Sequence, residues 1–252
     1  MVMGIPDIIT DVIKSIMPIN WTTHLNRNWQ FITRILIGVS LGVSLLWLSI
    51  PRTMAAFLNL PGDPVLENIQ LGKPVTIDDL NNFVSSRKNS LEWVESGRTW
   101  TDLGLAYLQL AKQVGYDTEE GTEYTAKSAQ ALKAGLSLAP ASPYAWARLA
   151  FLGLQPQNYG IDAKHALIMS LLTGPFERRL ASTRIQYALA LWDKLEARQQ
   201  KMIYGQIVFL DRFSRGRLLK LARRNRKSRT IVLTALAKAP ERQESFRLAL
   251  AK

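Results

Sequence analysis

The sequence has no cysteine and only two histidines, His24 and His165, in 252 residues. The first absence removes disulfides, thiolate metal sites and cysteine nucleophiles together, and leaves the compartment open. The second leaves little for metal binding, since neither histidine has ligand spacing to another histidine or to a carboxylate. A Walker loop, a G-x-G-x-x-G fingerprint, a G-x-S-x-G elbow and an H-E-x-x-H pair are also missing. Glu119 with Glu120, and Glu92 with Glu95, read as solvated pairs and not as general acids. No cofactor, metal site or catalytic centre is expected, so the chain reads as non-enzymatic.

Hydrophobic residues make up 47% of the chain, enough for a packed core. The net charge of +12 is unevenly placed. Residues 176–252 hold 19 basic against 6 acidic side chains, a surplus of 13, whereas residues 1–175 hold 13 against 14. Such asymmetry points to an anionic neighbour, whether membrane headgroups, an acidic polymer or nucleic acid.

Residues 1–30 form an N-terminal amphipathic segment. Ile5, Ile8, Ile9, Val12, Ile13 and Ile16 fall on one helical face, which either lies on a membrane, docks on a partner or packs on the protein itself. Met17-Pro18 is the expected end of that helix. Residues 31–50 read as a transmembrane helix. Ile35–Ile50 carries no charge, and extending the run back to Phe31 brings it near the ~20 residues that a bilayer core requires. Inside it Gly38 and Gly42 form G-x-x-x-G, and Ser40 and Ser44 repeat the spacing. Small residues at that interval let a second helix approach, which suggests self-association or a partner helix.

Arg27 and Arg34 precede the span, and Arg52 alone follows it closely. The bias puts the N-terminus in the cytoplasm and the C-terminal domain in the periplasm, across an inner (cytoplasmic) membrane crossed once. An n-region reaching to Arg34 has the wrong shape for a cleaved secretory signal, so the segment reads as an anchor. Residues 51–75, with Pro51, Pro61, Pro64 and Pro74, read as an extended or turning linker. Thr76 is the expected N-cap of a helix with Asp78 and Asp79 in its first turn, running to about Ser96 and ended by Gly97.

One pattern then occurs twice. Trp100-x2-Leu103-Gly104-x2-Tyr107 returns as Trp146-x2-Leu149-Ala150-x2-Gly153, and Ser128-x3-Leu132-x2-Gly135-x4-Pro140 returns as Ala163-x3-Leu167-x2-Ser170-x4-Pro175. Large, small and proline positions recurring at matching offsets mark a helix-turn-helix repeat. The pattern resembles the tetratricopeptide repeat over residues 97–175. The resemblance implies stacked helix pairs that bind partners and carry no chemistry.

Three departures stand out. Trp100 and Trp146 are 46 residues apart against about 34 in the family, which places an insertion, read as a loop, at Gly115–Tyr124. Gly153 stands where the signature has an aromatic, and Ala181 stands where a third repeat wants a large residue. Residues 76–175 are therefore expected to be tetratricopeptide-like repeats, with the helix before Gly97 and the C-terminal helices closing their ends. The predicted fold class is all-α, one transmembrane helix followed by this repeat domain.

Residues 176–252 read as a basic helical region, with helices over Glu177–Leu195, Ala197–Phe213, from Arg215, Thr230–Ala239 and Glu241–Lys252. Arg217, Lys220, Arg223, Arg224, Arg226, Lys227 and Arg229 are candidates for contact with an acidic polysaccharide or anionic lipid. Nucleic acid is not expected, because no aromatics are interleaved for base stacking and no DNA-reading motif is present. The stretch Thr173–Leu180, with Arg184 and Trp192, resembles accessory proteins of bacterial exopolysaccharide biosynthesis.

The sequence thus suggests a membrane-anchored scaffold or adaptor that serves protein partners in an envelope or exopolysaccharide assembly. Two other readings compete with it: a translocon-associated periplasmic chaperone-like repeat protein, and a cytoplasm-facing repeat domain that binds anionic lipid or RNA. The inner surface of the repeats discriminates between them. Exposed apolar residues there favour unfolded clients, and a polar or basic groove favours a defined partner or glycan.

Overall fold

In a computed structural model that describes residues 21–251, the chain is all-α, with no strand among the described residues. The stretch 5–16 and the stop at Met17-Pro18 lie outside the described residues. Two compact units meet in sequence between Thr53 and Met54.

The first helix, α1, runs Trp21–Asn59 and takes in His24. Its 39 residues correspond to about 58 Å at 1.5 Å per residue. From Phe31 onward it is long and apolar enough to cross a membrane, and large side chains such as Leu36, Leu46 and Trp47 are exposed along it. Pro51 lies inside this helix. Around it the Arg52 guanidinium donates to the Leu48 carbonyl and the Thr53 hydroxyl to the Ser49 carbonyl, both at 3.0 Å, so side chains serve carbonyls one turn back.

The linker expected over residues 51–75 is mostly helical. A 3-10 turn at Leu60–Gly62 leads into α2, Asp63–Leu71. Pro61 and Pro64 fall in the first turns of these elements, where a missing N–H has no intrahelical partner to lose. Gly72, left-handed at φ 70°, closes α2, and only residues 72–76 remain as a connector. Proline spacing alone did not distinguish helix starts from a loop.

Helix α3 is Ile77–Leu91, and Thr76 caps it as expected. The Thr76 hydroxyl accepts from the Asp79 N–H while the Asp79 carboxylate accepts from the Thr76 N–H, a reciprocal capping box. The helix stops five residues before Ser96. Ser96 instead caps α4, Gly97–Val114, so Gly97 opens a helix where the sequence reading had it end one.

The insertion is not a loop. Helix α5 is Glu119–Leu138, and only residues 115–118 turn between α4 and α5. Thr118 caps α5, and Glu119 and Glu120 occupy its first turn, where acids suit the helix dipole. The extra residues lengthen the pair instead.

The second pair is α6, Pro143–Gly153, and α7, Ala163–Thr173, capped by Ser142 and Asp162. Helix α8 is Arg178–Ala190, and a 3-10 turn follows at Trp192–Lys194. Helix α9, Ala197–Ala222, breaks at Ser214 (φ −152°, ψ 56°), which matches the predicted boundary between Phe213 and Arg215. Helices α10, Arg226–Leu236, and α11, Pro240–Ala251, end the described chain.

Several of the repeat residues are buried between helices. Leu103, Gly104 and Tyr107 are buried on α4, and a Cβ on Gly104 would meet the Leu132 side chain at 2.7 Å. Ser128 donates to the Gly104 carbonyl at 2.7 Å, and Ser170 to that of Pro143 at 2.7 Å, one bond inside each pair. Leu149 and Ala150 are buried on α6. The half-buried Trp100 packs on a core of α2, α3, α4 and α5, and Trp146 on a larger one that extends to Phe246. The Trp146 indole N–H donates to the Pro140 carbonyl at 2.7 Å. At Pro175, where the next unit lacks a tryptophan, Gln206 of α9 donates to the carbonyl at the same distance. Ala181 is fully buried, so α8 continues the stack with a small residue.

Two arginines are buried for structural reasons. Arg87 bonds the Asn59 carbonyl at 2.8 Å and Asp63 at 2.7 Å. Arg184 bonds the Ser170 hydroxyl at 2.9 Å, the Ser170 carbonyl and the Gly174 carbonyl at 2.8 Å. A cation on the last carbonyls of α7 suits the negative end of that helix.

Candidate functional site

The feature that best fits a binding site is a cleft of about 470 Å³ within the second unit. Its walls come from the first helix of each successive pair. Arg98 and Asp102 stand two residues before and after Trp100 on α4, and Tyr144 and Arg148 stand two residues before and after Trp146 on α6. Arg179 of α8 occupies the same place relative to Ala181. Repetition therefore brings equivalent positions of three helices to one cleft. Leu66 and Ile69 of α2, with Leu105 of α4, supply apolar wall.

Three arginines face a single carboxylate among the lining residues. Burial raises the pKa of Asp102, opposed by Arg87, Arg98 and Arg148. Its oxygen also lies 3.5 Å from Arg87 Nε. Burial lowers the pKa of Arg148 to about 10, against the pull of Asp102 and Tyr144, so its guanidinium stays charged at neutral pH. Tyr144 is pushed up to about 12 by burial and by its bond to Glu177, and remains a neutral phenol. Arg98 and Arg179 are exposed at the mouth. The arrangement offers forked N–H donors to a carboxylate, sulfate or phosphate.

Sequence reasoning passed over these residues because it followed the large and small positions of the repeat. A signal was available: charged or phenolic residues at the offsets minus two and plus two around each tryptophan.

The residues that the sequence did single out fall elsewhere. Gly38 and Gly42 share one side of α1. Ser40 and Ser44, about 200° further round, occupy nearly the opposite side and line a shallow groove with Leu36, Ile37 and Leu41. The Ser44 hydroxyl donates to the Ser40 carbonyl at 2.8 Å, within its own helix. Trp100, Leu103 and Tyr107 also line a separate cleft beside Lys127, away from the arginines. Leu149 and Trp146 line another with His165, whose ring meets Trp146 edge-on at 5.8 Å.

The basic run lies around the turn from α9 to α10 and is exposed. Arg223 bonds the Ala249 carbonyl at 2.9 Å, Arg224 bonds Gln186 at 3.4 Å, and Lys227 pairs with Asp193. Arg217 and Lys220 project from α9, while Arg226 and Arg229 stand in the first turns of α10. Part of this run thus serves internal bonds, and its members line none of the clefts described above. Glu177 and Arg184, from the stretch that suggested an exopolysaccharide accessory, cap α8 and close α7. No group of three or more His, Cys, Asp or Glu side chains able to hold a metal occurs among the described residues. Compared with protein-family models and with curated proteins, the chain matches none.

Proposed function

We propose that the chain is a non-enzymatic scaffold, anchored once in the inner membrane, that holds an acidic segment of a partner in the cleft formed by α4, α6 and α8. The observation that carries this reading is the convergence of Arg98 and Arg179, two residues before the repeat position on α4 and α8, with Arg148, two residues after it on α6, around one cleft. A cleft with three arginines and a half-buried carboxylate disfavours unfolded apolar clients, and so the chaperone-like reading. The long apolar α1 supports the anchor, and the bias of Arg27 and Arg34 supports a cytoplasmic N-terminus and a periplasmic domain. The helix pairs support a tetratricopeptide-like binding domain. Service in envelope or exopolysaccharide assembly rests on the resemblance of Thr173–Leu180.

A photo-crosslinking residue at Gln70, an exposed lining residue, tests the cleft in the anchored protein. The proposal predicts adducts to an acidic segment of a membrane-complex protein, lost when Arg98 and Arg179 become glutamine. Adducts of unchanged yield in that variant contradict it. Phosphatase activity from a C-terminal fusion is predicted on the periplasmic side, and activity only on the cytoplasmic side contradicts the topology. Deletion that leaves surface polysaccharide amount and length unchanged removes the exopolysaccharide role.

A further inference from the structure

A second cleft, of about 910 Å³, lies between α9 and the turn from α10 to α11. Its floor is apolar, with Val208 and Phe209 on one side and Ala235 and Leu236 on the other. Phe176, 78% exposed, leans edge-on against Phe209 at 5.9 Å, and Phe209 meets Phe213 at 4.9 Å. Phe176 and Phe209 both line the cleft, so an aromatic pair leads from solvent into it.

Gly205 lines the same space, in the interior of α9. A Cβ there would meet nothing within 4 Å, whereas one on Gly97, Gly104, Gly135 or Gly153 would press on a neighbouring helix. The fold does not need glycine at 205, and glycine weakens a helix interior. What its absent side chain provides is room in the cleft.

Lys201, Arg212, Lys238 and Arg242 stand around this floor, with no carboxylate among the lining residues. Arg242 has a carboxylate nearby, Asp211 at 3.9 Å. An apolar floor with a cationic rim complements a molecule that has a hydrocarbon body and an anionic head. A bound peptide would bury backbone N–H and C=O groups against Val208, Phe209, Ala235 and Leu236, and the hydroxyls of Tyr204 and Thr234 are the only uncharged side-chain groups in the lining that could bond them. A hydrocarbon chain carries no such requirement, and the volume lies within the range of about 300–1,000 Å³ usual for single small ligands.

We infer that this cleft takes one acyl chain of an anionic membrane phospholipid, with the headgroup held by Lys201, Arg212 and Lys238. The site is separate from the arginine cleft and does not depend on it.

The test uses the full chain reconstituted in phosphatidylcholine vesicles that contain a trace of phosphatidylglycerol with a photoactivatable acyl chain. Labelled peptides are mapped by mass spectrometry. Adducts are expected on the segments around Phe209 and Leu236, several-fold above those from a phosphatidylcholine probe. Neutralising Lys201, Arg212 or Lys238 to glutamine is expected to lower them about fivefold per cation. Gly205→Trp, which fills the floor, is expected to lower them with either probe. Adducts on α1 serve as the internal standard. Adducts confined to α1, equal adducts from both headgroups, or unchanged adducts in the glutamine variants overturn the inference. Because the glutamine variants alter only surface charge, this holds even where Gly205→Trp fails to fold.

Discussion

A Cβ on Gly97 would stand 2.6 Å from the Cβ of Ala139, closer than two carbons can approach. The matching positions of the second pair are Pro143 and Gly174, and there the glycine has changed sides: a Cβ on Gly174 would stand 2.8 Å from Pro143 Cγ. In each pair the start of the first helix touches the end of the second, and one of the two touching residues must be glycine.

Gly97→Ala is therefore expected to destabilise the second unit by about 1–3 kcal/mol through overpacking. Urea unfolding reads the change. The double variant Gly97→Ala/Ala139→Gly should recover only part of the loss, because it removes the Ala139 Cβ but leaves the Gly135 carbonyl oxygen 2.8 Å from the new methyl group. Strictly additive losses would show that the two positions do not share the contact.

Arg184 is fully buried, and its guanidinium serves the Ser170 hydroxyl and the carbonyls of Ser170 and Gly174. Burial lowers its pKa to about 10, so it is charged at neutral pH. Arg184→Met leaves those acceptors without donors and should cost about 2–4 kcal/mol. Arg184→Lys should restore only part, because an ammonium cannot reproduce the planar fork. A thermal-unfolding shift within error of zero for Arg184→Met contradicts the assignment.

The helix start at Thr76 was legible because its signal is local, a threonine followed three residues on by Asp79. Ser96 carries the same kind of signal but lies so close behind the preceding helix that it read as that helix's end, and Ser142 went unread as a cap. The paired repeats were legible because Leu103, Leu132 and Leu167 must be buried at fixed intervals. Other features depend on what happens between helices. Pro61 and Pro64 look the same in a linker as in a first turn. The twelve or so residues added to the first unit look like a loop until Thr118 and the acids behind it are seen to start a helix. The arginine cleft needs three helices stacked in register before Arg98, Arg148 and Arg179 become neighbours of one space.

Asp102 gives that cleft a pH dependence. Its folded pKa is raised, so the folded state binds the proton more tightly than the unfolded chain. Its charge therefore counts against stability above the folded pKa, and that cost disappears as pH falls from there through the ordinary carboxylate range. Loss of the negative charge also makes the cleft more cationic. Binding of a tyrosine-sulfated peptide, whose own charge does not titrate there, should strengthen as pH falls through the same window. Asp102→Asn should flatten the profile. A wild-type profile already flat in fluorescence anisotropy contradicts the role of Asp102.

The claim on which the rest depends is that the cleft of α4, α6 and α8 holds acidic chain. Its most direct measurement is the affinity of the full protein, in non-ionic detergent, for a labelled octapeptide of aspartate and glutamate, beside a neutral peptide of equal length. The account predicts binding of the acidic peptide alone, weakened about tenfold or more by each of Arg98→Gln and Arg179→Gln. Equal affinity for both peptides, or an acidic-peptide affinity unchanged in the Arg98→Gln/Arg179→Gln variant, contradicts it.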